Sequence, residues 1–352
     1  MMSMYPSSGT ADPLTQASQL ATRSSELAVE TQLEDASSRD HDRQQVKARL
    51  ERDIKSARRA VLLVNRRSRR GKQLYRDAKR LLEARGIEVV PRYSALTATQ
   101  IPSLIARAVA DGHRLILVGG GDGTLSSVLP QFVYRNVALG ILPLGTANSF
   151  ARSLGIPLEI EAAVNVAVSG RIVDVDVGHI GEAYFCTVAS VGLAAKIARH
   201  MPRGLKKWLG RMAYPVVALA QLRRFGAFRC TITANGESTS VDALEVRVAN
   251  GAYQGGIAAV PEASAESRDL VAHITTGRSV HKLLSAWLRL TAGVPPDTNH
   301  LSIIRSSRFT IDAEPRQYVA IDGEAFIHTP FEVRVAPQAL LIMAPQDNHE
   351  LK

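Results

Sequence analysis

Residues 115–124 read Leu-Ile-Leu-Val-Gly-Gly-Gly-Asp-Gly-Thr. An apolar run that breaks into glycines and an acid ahead of the helix-like Leu125–Phe132 outlines a buried parallel strand, a tight phosphate-sized turn and a helix N-terminus, a place suited to an anion. Gly119, Gly120, Gly121 and Gly123 have no Cβ, so the backbone can take positive φ there and its N–H groups can approach phosphate oxygens without steric conflict. Asp122 is the odd member, because a carboxylate among phosphate-facing amides repels the ligand unless a cation or a proton transfer gives it a task. Many strand-to-helix turns are Gly-rich; the glycine triplet together with Asp122 and Thr124 is what points to chemistry. A second loop, Pro143-Leu144-Gly145-Thr146-Ala147-Asn148-Ser149-Phe150-Ala151-Arg152, follows another apolar run. Gly145 permits its turn, and Thr146 and Asn148 carry donors for a ligand or a cap for the next helix.

These loops need strands and helices to hold them. Ala60–Val64, Ile87–Val90, Leu115–Val118 and Val137–Leu142 read as strands, and helical stretches run from the basic loop Arg66–Lys72 to about Ala84 and over Gln100–Ala110. Strand and helix alternate, which predicts a parallel sheet covered on both faces, with ligands beyond the C-terminal strand ends. Asn65–Lys72, Gly119–Thr124 and Pro143–Asn148 meet that condition. From Asp174 onward the segments are short, β-branched and divided by Gly, Asn or Pro: Ala183–Ala189, Phe228–Ala234, Leu244–Ala249, Leu270–Thr275, Arg308–Asp312, Tyr318–Ile321 and Glu332–Val335. That texture predicts an antiparallel sandwich or barrel, interrupted by helical Ala194–Phe225 and Ser279–Leu290. Ala339–Ala344 either closes the sandwich or returns to the first domain. The expected division is therefore a disordered or helical basic tail over 1–58, an α/β domain over 59–178 and a β-rich domain over 179–345. Within the tail, Val46, Leu50 and Ile54 stand at helical spacing.

The chain has 352 residues, 45% hydrophobic and 22% charged, which is ordinary globular usage and argues against a disordered or fibrous protein. Its net charge of +10 suits an anionic partner, whether nucleotide, nucleic acid or acidic membrane surface. Cys186 and Cys230 stand far apart in apolar stretches, so neither a disulfide framework nor a zinc pattern is present, and a reducing cytosol fits. No run approaches the ~18 apolar residues of a membrane span, and the N-terminus lacks a basic-then-apolar secretory signal. A cytoplasmic protein, soluble or peripherally membrane-associated, is expected. DNA binding is disfavoured, since no recognition helix or stacking motif accompanies the basic residues.

Gly-Gly-Asp-Gly-Thr after a strand, then Pro-Leu-Gly-Thr-x-Asn-x-Phe-Ala-Arg, resembles the diacylglycerol kinase catalytic-domain family, which includes sphingosine and ceramide kinases and bacterial soluble lipid kinases. Further matches keep the family's order: Asn65 with Ser68 and Gly71; Asp176-Val177-Gly178; Val188-Ala189-Ser190-Val191-Gly192; Asn250-Gly251 with Gly255-Gly256, Pro261 and Ala263; and Asp322-Gly323-Glu324. The resemblance runs from about Ala60 to Ala344. It implies an N-terminal parallel α/β nucleotide-binding domain, NAD kinase/diacylglycerol kinase-like, followed by an antiparallel β-sandwich domain. It further implies an ATP-dependent lipid kinase that uses Mg2+ and phosphorylates a lipid hydroxyl, diacylglycerol by default, with sphingoid bases or phosphatidylglycerol leaving the same motifs.

Carried over by that resemblance, Gly119, Gly120, Gly121, Asp122, Gly123 and Thr124 cradle phosphates with Asp122 near the metal. Asn65, Ser68, Gly71, Gly145, Thr146 and Asn148 belong to the nucleotide loops, and Asp176 joins the magnesium–water network. Glu324 is the proton acceptor with Asp322 beside it. Alone, Asp322-Gly323 reads as an ordinary hairpin turn; its place after the other motifs turns the reading toward catalysis. The chain departs from the pattern at Arg66 and Arg69, where proline and glycine are usual, at Ser149 for Asp and at Thr187 for Asn. A nucleotide-contacting Thr has Ser94 as its nearest counterpart. Glu266-Ser267-Arg268 replaces Asp-Asp-Gly, which predicts that a second, structural magnesium is absent or weak. Lys196–Phe225, basic and bearing Trp208, suits either an anionic bilayer interface or a surface helix. Alternatives are an NAD-kinase-type enzyme and a catalytically weak lipid-binding homologue. A homodimer is left open.

Overall fold

The computed structural model describes residues 42–66, 71–93, 97–200, 217, 226–277 and 300–346. The tail before residue 42, Ser68, Ser94, Arg69, Ser279–Leu290 and the Trp208 part of the basic segment fall outside them. Two compact units divide after Arg49. In the first, residues 42–49 are helical.

The second unit opens with α1 (residues 50–57), whose Leu50 and Ile54 are buried. There follow β1 (Arg59–Val64), α2 (Gly71–Ala84), β2 (Glu88–Val89), α3 (Ile101–Ala110), β3 (Leu115–Gly120), α4 (Asp122–Val128), β4 (Ala138–Pro143), α5 (Ser149–Ser153) and α6 (Ile160–Ser169). β1 pairs in parallel with β2 and β3, and β3 in parallel with β4. β3 and β4 are buried along almost their whole length, which is why they read as unbroken apolar runs rather than alternating ones.

β5 (Arg171–Ile180) leads into β6 (Ala183–Phe185), β7 (Val188–Gly192), α7 (Leu193–His200), β8 (Phe228–Ala234), β9 (Glu237–Ala249), β10 (Tyr253–Gln254), β11 (Ile257–Ala258), β12 (Leu270–Thr276), β13 (Leu301–Ser306), β14 (Arg308–Glu314), β15 (Tyr318–Ile321), β16 (Ala325–His328) and β17 (Phe331–Ala344). Most of these pair antiparallel. β8 and β14 alternate buried with less buried residues, so Phe228, Cys230, Ile232, Phe309 and Ile311 point into a second core while the facing positions are wetter. The expectation of a parallel α/β lobe followed by an antiparallel β lobe holds.

The two lobes share one sheet. Its main path runs β16-β15-β7-β9-β8-β14-β17-β4-β3-β1-β2. β17 begins on β14 and ends beside β4, where Leu341 and Ile342 pair in parallel with Ala138 and Leu139. The alternative left open by the sequence is thereby decided: Ala339–Ala344 returns to the first lobe and joins its core. β5 follows β17 along both halves, across an irregularity between Ala336 and Leu340 where Gln338 takes a φ of +50°. The expected strand Ala183–Ala189 is divided at Cys186-Thr187, and the expected helix Leu125–Phe132 begins at Asp122 and yields to a 3-10 turn after Val128. β5, β10, β11, β13 and β16 are not among the strands named from the sequence.

Candidate active site

The C-terminal ends of β1, β3 and β4 lie side by side, with Val64 opposite Gly119 and Gly120 opposite Pro143. That register gathers Asn65, the glycine run and the Gly145-Thr146 turn at one edge. None of Gly119, Gly120, Gly121, Gly123 or Gly145 has positive φ. The freedom of these glycines to take positive φ is not used: a strand extends through Gly120 and a helix starts at Asp122, with extended Gly121 (φ −98°, ψ −175°) as the single link. Glycine is required here by crowding instead. A Cβ on Gly120 would lie 2.5 Å from the Thr124 side chain, and one on Gly145 would lie 2.5 Å from the Gly121 Cα. The two loops thus touch backbone to backbone.

Asp122 fastens them. Its Oδ1 accepts the Phe150 N–H at 3.0 Å, capping α5 from a different loop, while the N-cap residue of that helix, Asn148, is turned away. Asn148 sits at φ +50° and exchanges two hydrogen bonds with Gly145: its Oδ1 accepts from the Gly145 N–H at 2.8 Å and its Nδ2 donates to the Gly145 carbonyl at 3.0 Å. Its side chain therefore shapes the loop. Gly145 and Thr146 themselves are exposed, as a nucleotide loop requires. Arg66, which replaces the expected proline, lies over the Tyr75 ring of α2 at 4.9 Å. Gly71 is buried at the start of α2.

On the β lobe, Asp322 (φ +48°) and Gly323 (φ +74°) form the tip of the β15–β16 hairpin, closed by the Glu324 N–H donating to the Ile321 carbonyl at 3.1 Å. Two successive left-handed residues make a type I′ turn, for which Asp-Gly is well suited. The Asp322 carboxylate is taken up by neighbouring backbone. It accepts from the N–H groups of Cys186 (2.9 Å), Thr187 (2.9 Å) and Val188 (3.1 Å), and from the Thr187 hydroxyl (2.5 Å). Asp322 thus anchors the turn to the β6–β7 junction, and the hydroxyl of Thr187, a departure from the family pattern, contributes to that anchor. Glu324 is different: its carboxylate has no hydrogen-bond or ion-pair partner among the described residues and rests on α4. A Cβ on Gly123 would lie 2.4 Å from its Oε1. The hairpin turn and the acidic site are one and the same feature.

Both motif aspartates converge on Cys186. Burial pushes this thiol well above its ordinary range, and the negative charges of Asp322 and Asp122 raise it further.

Asp176 stands on β5. It is buried at the crossover of β5, where its Oδ1 accepts the Gln338 N–H (2.7 Å) and its Oδ2 the Arg268 N–H (2.6 Å). Burial raises its pKa above the usual carboxylate value, against the lowering effect of those amides. With one backbone donor on each oxygen, Asp176 pins the irregularity of β17 and the Glu266–Arg268 loop to β5, and each oxygen keeps a lone pair. Among the described residues no group of three or more His, Cys, Asp or Glu is arranged around a metal position. Asp122 does fit, since Mg2+ is commonly held by one or two carboxylates together with substrate phosphates, and one of its oxygens is not engaged by Phe150.

Sequence reasoning missed the contacts that join the second loop to the β lobe. The Ser149 Oγ accepts from the Gly256 N–H at 3.1 Å, and a Cβ on Gly251 would lie 2.7 Å from the Ser153 Oγ. Asn250, wholly buried, donates from Nδ2 to the Asp176 and Cys186 carbonyls at 2.8 and 3.3 Å. The signal was present in the Asn-Gly and Gly-Gly pairs, but nothing in the sequence says which helix they meet.

Comparison with known proteins follows the same outline. Residues 59–180 match the diacylglycerol kinase catalytic domain, and residues 187–344 match the YegS C-terminal NAD kinase beta sandwich-like domain. The chain is 31% identical over 300 residues to a protein of Escherichia fergusonii named probable lipid kinase YegS, covering 82% of this chain and 96% of that one. It is 31% identical over 292 residues to a YegS-like protein of Klebsiella pneumoniae, with the same coverage. A solved structure described as a diacylglycerol kinase from Bacillus anthracis shares the fold, with a TM-score of 0.64 at 19% identity over 82% of this chain and 97% of that one.

Proposed function

The chain belongs to the YegS-like lipid kinase family, built on the diacylglycerol kinase catalytic domain, and on that footing we propose that it transfers the γ-phosphoryl group of ATP to a lipid hydroxyl, with diacylglycerol as the default acceptor. The observation that supports this reading is the seat of Glu324: an acceptor-only carboxylate without a partner among the described residues, carried on a fixed turn of the β lobe and resting on the glycine motif of the α/β lobe. Phosphoryl transfer to an alcohol asks for alignment, neutralisation of charge and a base for the alcohol proton. In this reading the backbone of Gly120–Thr124 and the exposed Gly145-Thr146 turn receive the phosphates, with Asn65 at the neighbouring strand end. Asp122 would hold Mg2+, which when bound supplies charge neutralisation on the phosphates. Glu324 accepts the proton of the lipid hydroxyl as its oxygen attacks, and Asp322 positions Glu324 without meeting substrate.

No described helix is long and apolar enough to cross a membrane. We place the acceptor lipid in the bilayer surface and bring the enzyme to it peripherally. Lys196 and Arg199 on α7 stand at the start of the basic segment, and Arg199 lies over the ring of Tyr318 on the Glu324 hairpin at 3.6 Å.

The test is transfer of radiolabelled phosphate from ATP to a total lipid extract presented in mixed micelles, with the product identified by mass spectrometry. Glu324→Ala is expected to lower the rate by about 10²–10⁴-fold, the usual contribution of a general base. Full rate in both Glu324→Ala and Asp122→Ala would overturn the site, and phosphorylation of NAD with no labelled lipid would replace the function.

A further inference from the structure

We infer that Gly123 is the seat of Glu324, so that the missing side chain of the motif's last glycine sets the approach of the carboxylate, while its backbone is left to the phosphates. The inference rests on the reading of Glu324 as the base. Each glycine of the motif has its own crowded neighbour. Gly119 meets the side chains of Val64 and Leu144, Gly120 meets Thr124, and Gly121 meets the Gly145 backbone; all three contacts lie within the α/β lobe. Gly123 alone in the motif meets the other lobe. A Cβ there would lie 2.4, 2.7 and 3.1 Å from Oε1, Cδ and Oε2 of Glu324.

Nothing about the local backbone asks for glycine at this position. Gly123 lies within α4 and has no positive φ, so alanine would be the better helix former. What excludes alanine is the space claimed by the carboxylate. The obstructing group is the far end of a flexible side chain on an exposed turn, so it can swing away without disturbing either core. The Asp322 anchor fixes the turn itself, leaving Glu324 only its own torsions with which to retreat. A methyl group at residue 123 should therefore leave the fold and the nucleotide loop in place while moving the base off the reacting hydroxyl. Displacement of a reacting group by even about 1 Å costs rate on the order of a hundredfold.

The experiment is a double-mutant cycle on the full-length chain: Gly123→Ala, Glu324→Ala and the pair. The readouts are melting temperature, ATP affinity by calorimetry, and phosphate transfer from saturating ATP to the lipid extract. Gly123→Ala is expected to keep its melting temperature, to keep ATP affinity within about threefold and to lose at least about tenfold in rate, and within the Glu324→Ala background the same substitution should cost less than about threefold. Adding Glu324→Asp to Gly123→Ala, which shortens the side chain by one methylene, should recover part of the loss. Three results would overturn the inference while leaving the function intact: full rate in Gly123→Ala when Glu324→Ala is slow, the same loss of rate in both backgrounds, or a loss of ATP affinity that accounts for the whole effect. Full rate in Glu324→Ala alone would overturn the underlying reading and this inference with it.

Discussion

The molecule uses the pair Asp-Gly twice at its site, and the two turns work in opposite ways. In Asp122-Gly123-Thr124 the aspartate opens a helix, extends its carboxylate to the Phe150 amide of the neighbouring loop and leaves one oxygen for other work. In Asp322-Gly323-Glu324 the aspartate occupies a left-handed turn and its carboxylate is fully taken up by the Cys186–Val188 backbone. The first acid joins two loops within one lobe; the second anchors a hairpin so that the following residue can reach across to the other lobe. An acidic motif that looks uniformly catalytic in sequence thus divides into residues that hold the site and residues available for chemistry.

Four measurements would break or sharpen that contrast. The largest effect on stability is expected from Asp322→Ala, which leaves three amides and the Thr187 hydroxyl without their acceptor. A loss of about 2–4 kcal/mol follows from unsatisfied buried donors, read as a fall in Tm of roughly 5–10 °C in a thermal melt. The rate should fall with it, and a destabilised variant with unchanged rate would separate the hairpin from the site. Asp322→Asn tolerates the left-handed turn and should lose less.

Next comes the contact between the two glycine loops. Gly145→Ala drives a Cβ to 2.5 Å from the Gly121 Cα, whereas Gly121→Ala meets the Gly145 Cα at 3.0 Å. Because the obstacle is backbone on both sides, each substitution should destabilise by about 1–3 kcal/mol, as overpacking does. Gly145→Ala should be the worse, and equal Tm values for the pair would contradict the geometry.

A smaller loss, about 1 kcal/mol, is expected from Asp122→Ala through the missing helix cap. Asp122→Asn keeps an acceptor for Phe150 and should recover that stability, while requiring more Mg2+ for half-maximal rate. Restoration of both properties by Asn would remove Asp122 from any metal role.

The smallest effect is a control distant from both turns. His273 is buried beside Glu262, with Nε2 2.9 Å from the Glu262 carboxylate, and burial holds its pKa below the usual 6.5 despite that neighbour. The unfolded chain therefore takes up this proton more readily than the native one. The His273 contribution is complete above pH 6.5 and declines as pH falls through that value toward the lower native pKa. His273→Gln should reduce the drop in Tm between pH 7.5 and 5.5, and an unaltered drop would show that burial there is not felt.

Much of this was legible in the chain. Buried parallel strands announce themselves as continuous apolar runs, so Ala60–Val64 and Leu115–Val118 were found and the three loops at their C-terminal ends followed. The β lobe was legible as texture, although β5 and the shorter β10, β11, β13 and β16 were not named; edge strands such as β13 and β16 carry little apolar alternation, whereas β5 does alternate and was overlooked. Site residues were nameable because Gly, Asp and Glu at fixed order are rare enough to stand out.

What the sequence alone determined, then, is which residues are candidates and which end of the sheet bears them: periodicity and glycine placement are local properties, and they survive without knowledge of the partner. Only the tertiary structure decided which acids are held by backbone donors and which is left open. Asp122, Asp176, Asp322 and Glu324 are all carboxylates held one or two methylene groups from the chain, and nothing local says which donors each will meet. Their difference is the number of donors that the fold brings to each, from three amides and a hydroxyl on Asp322, through two amides on buried Asp176 and one on Asp122, to none among the described residues on Glu324, and these donors arrive from segments remote in sequence.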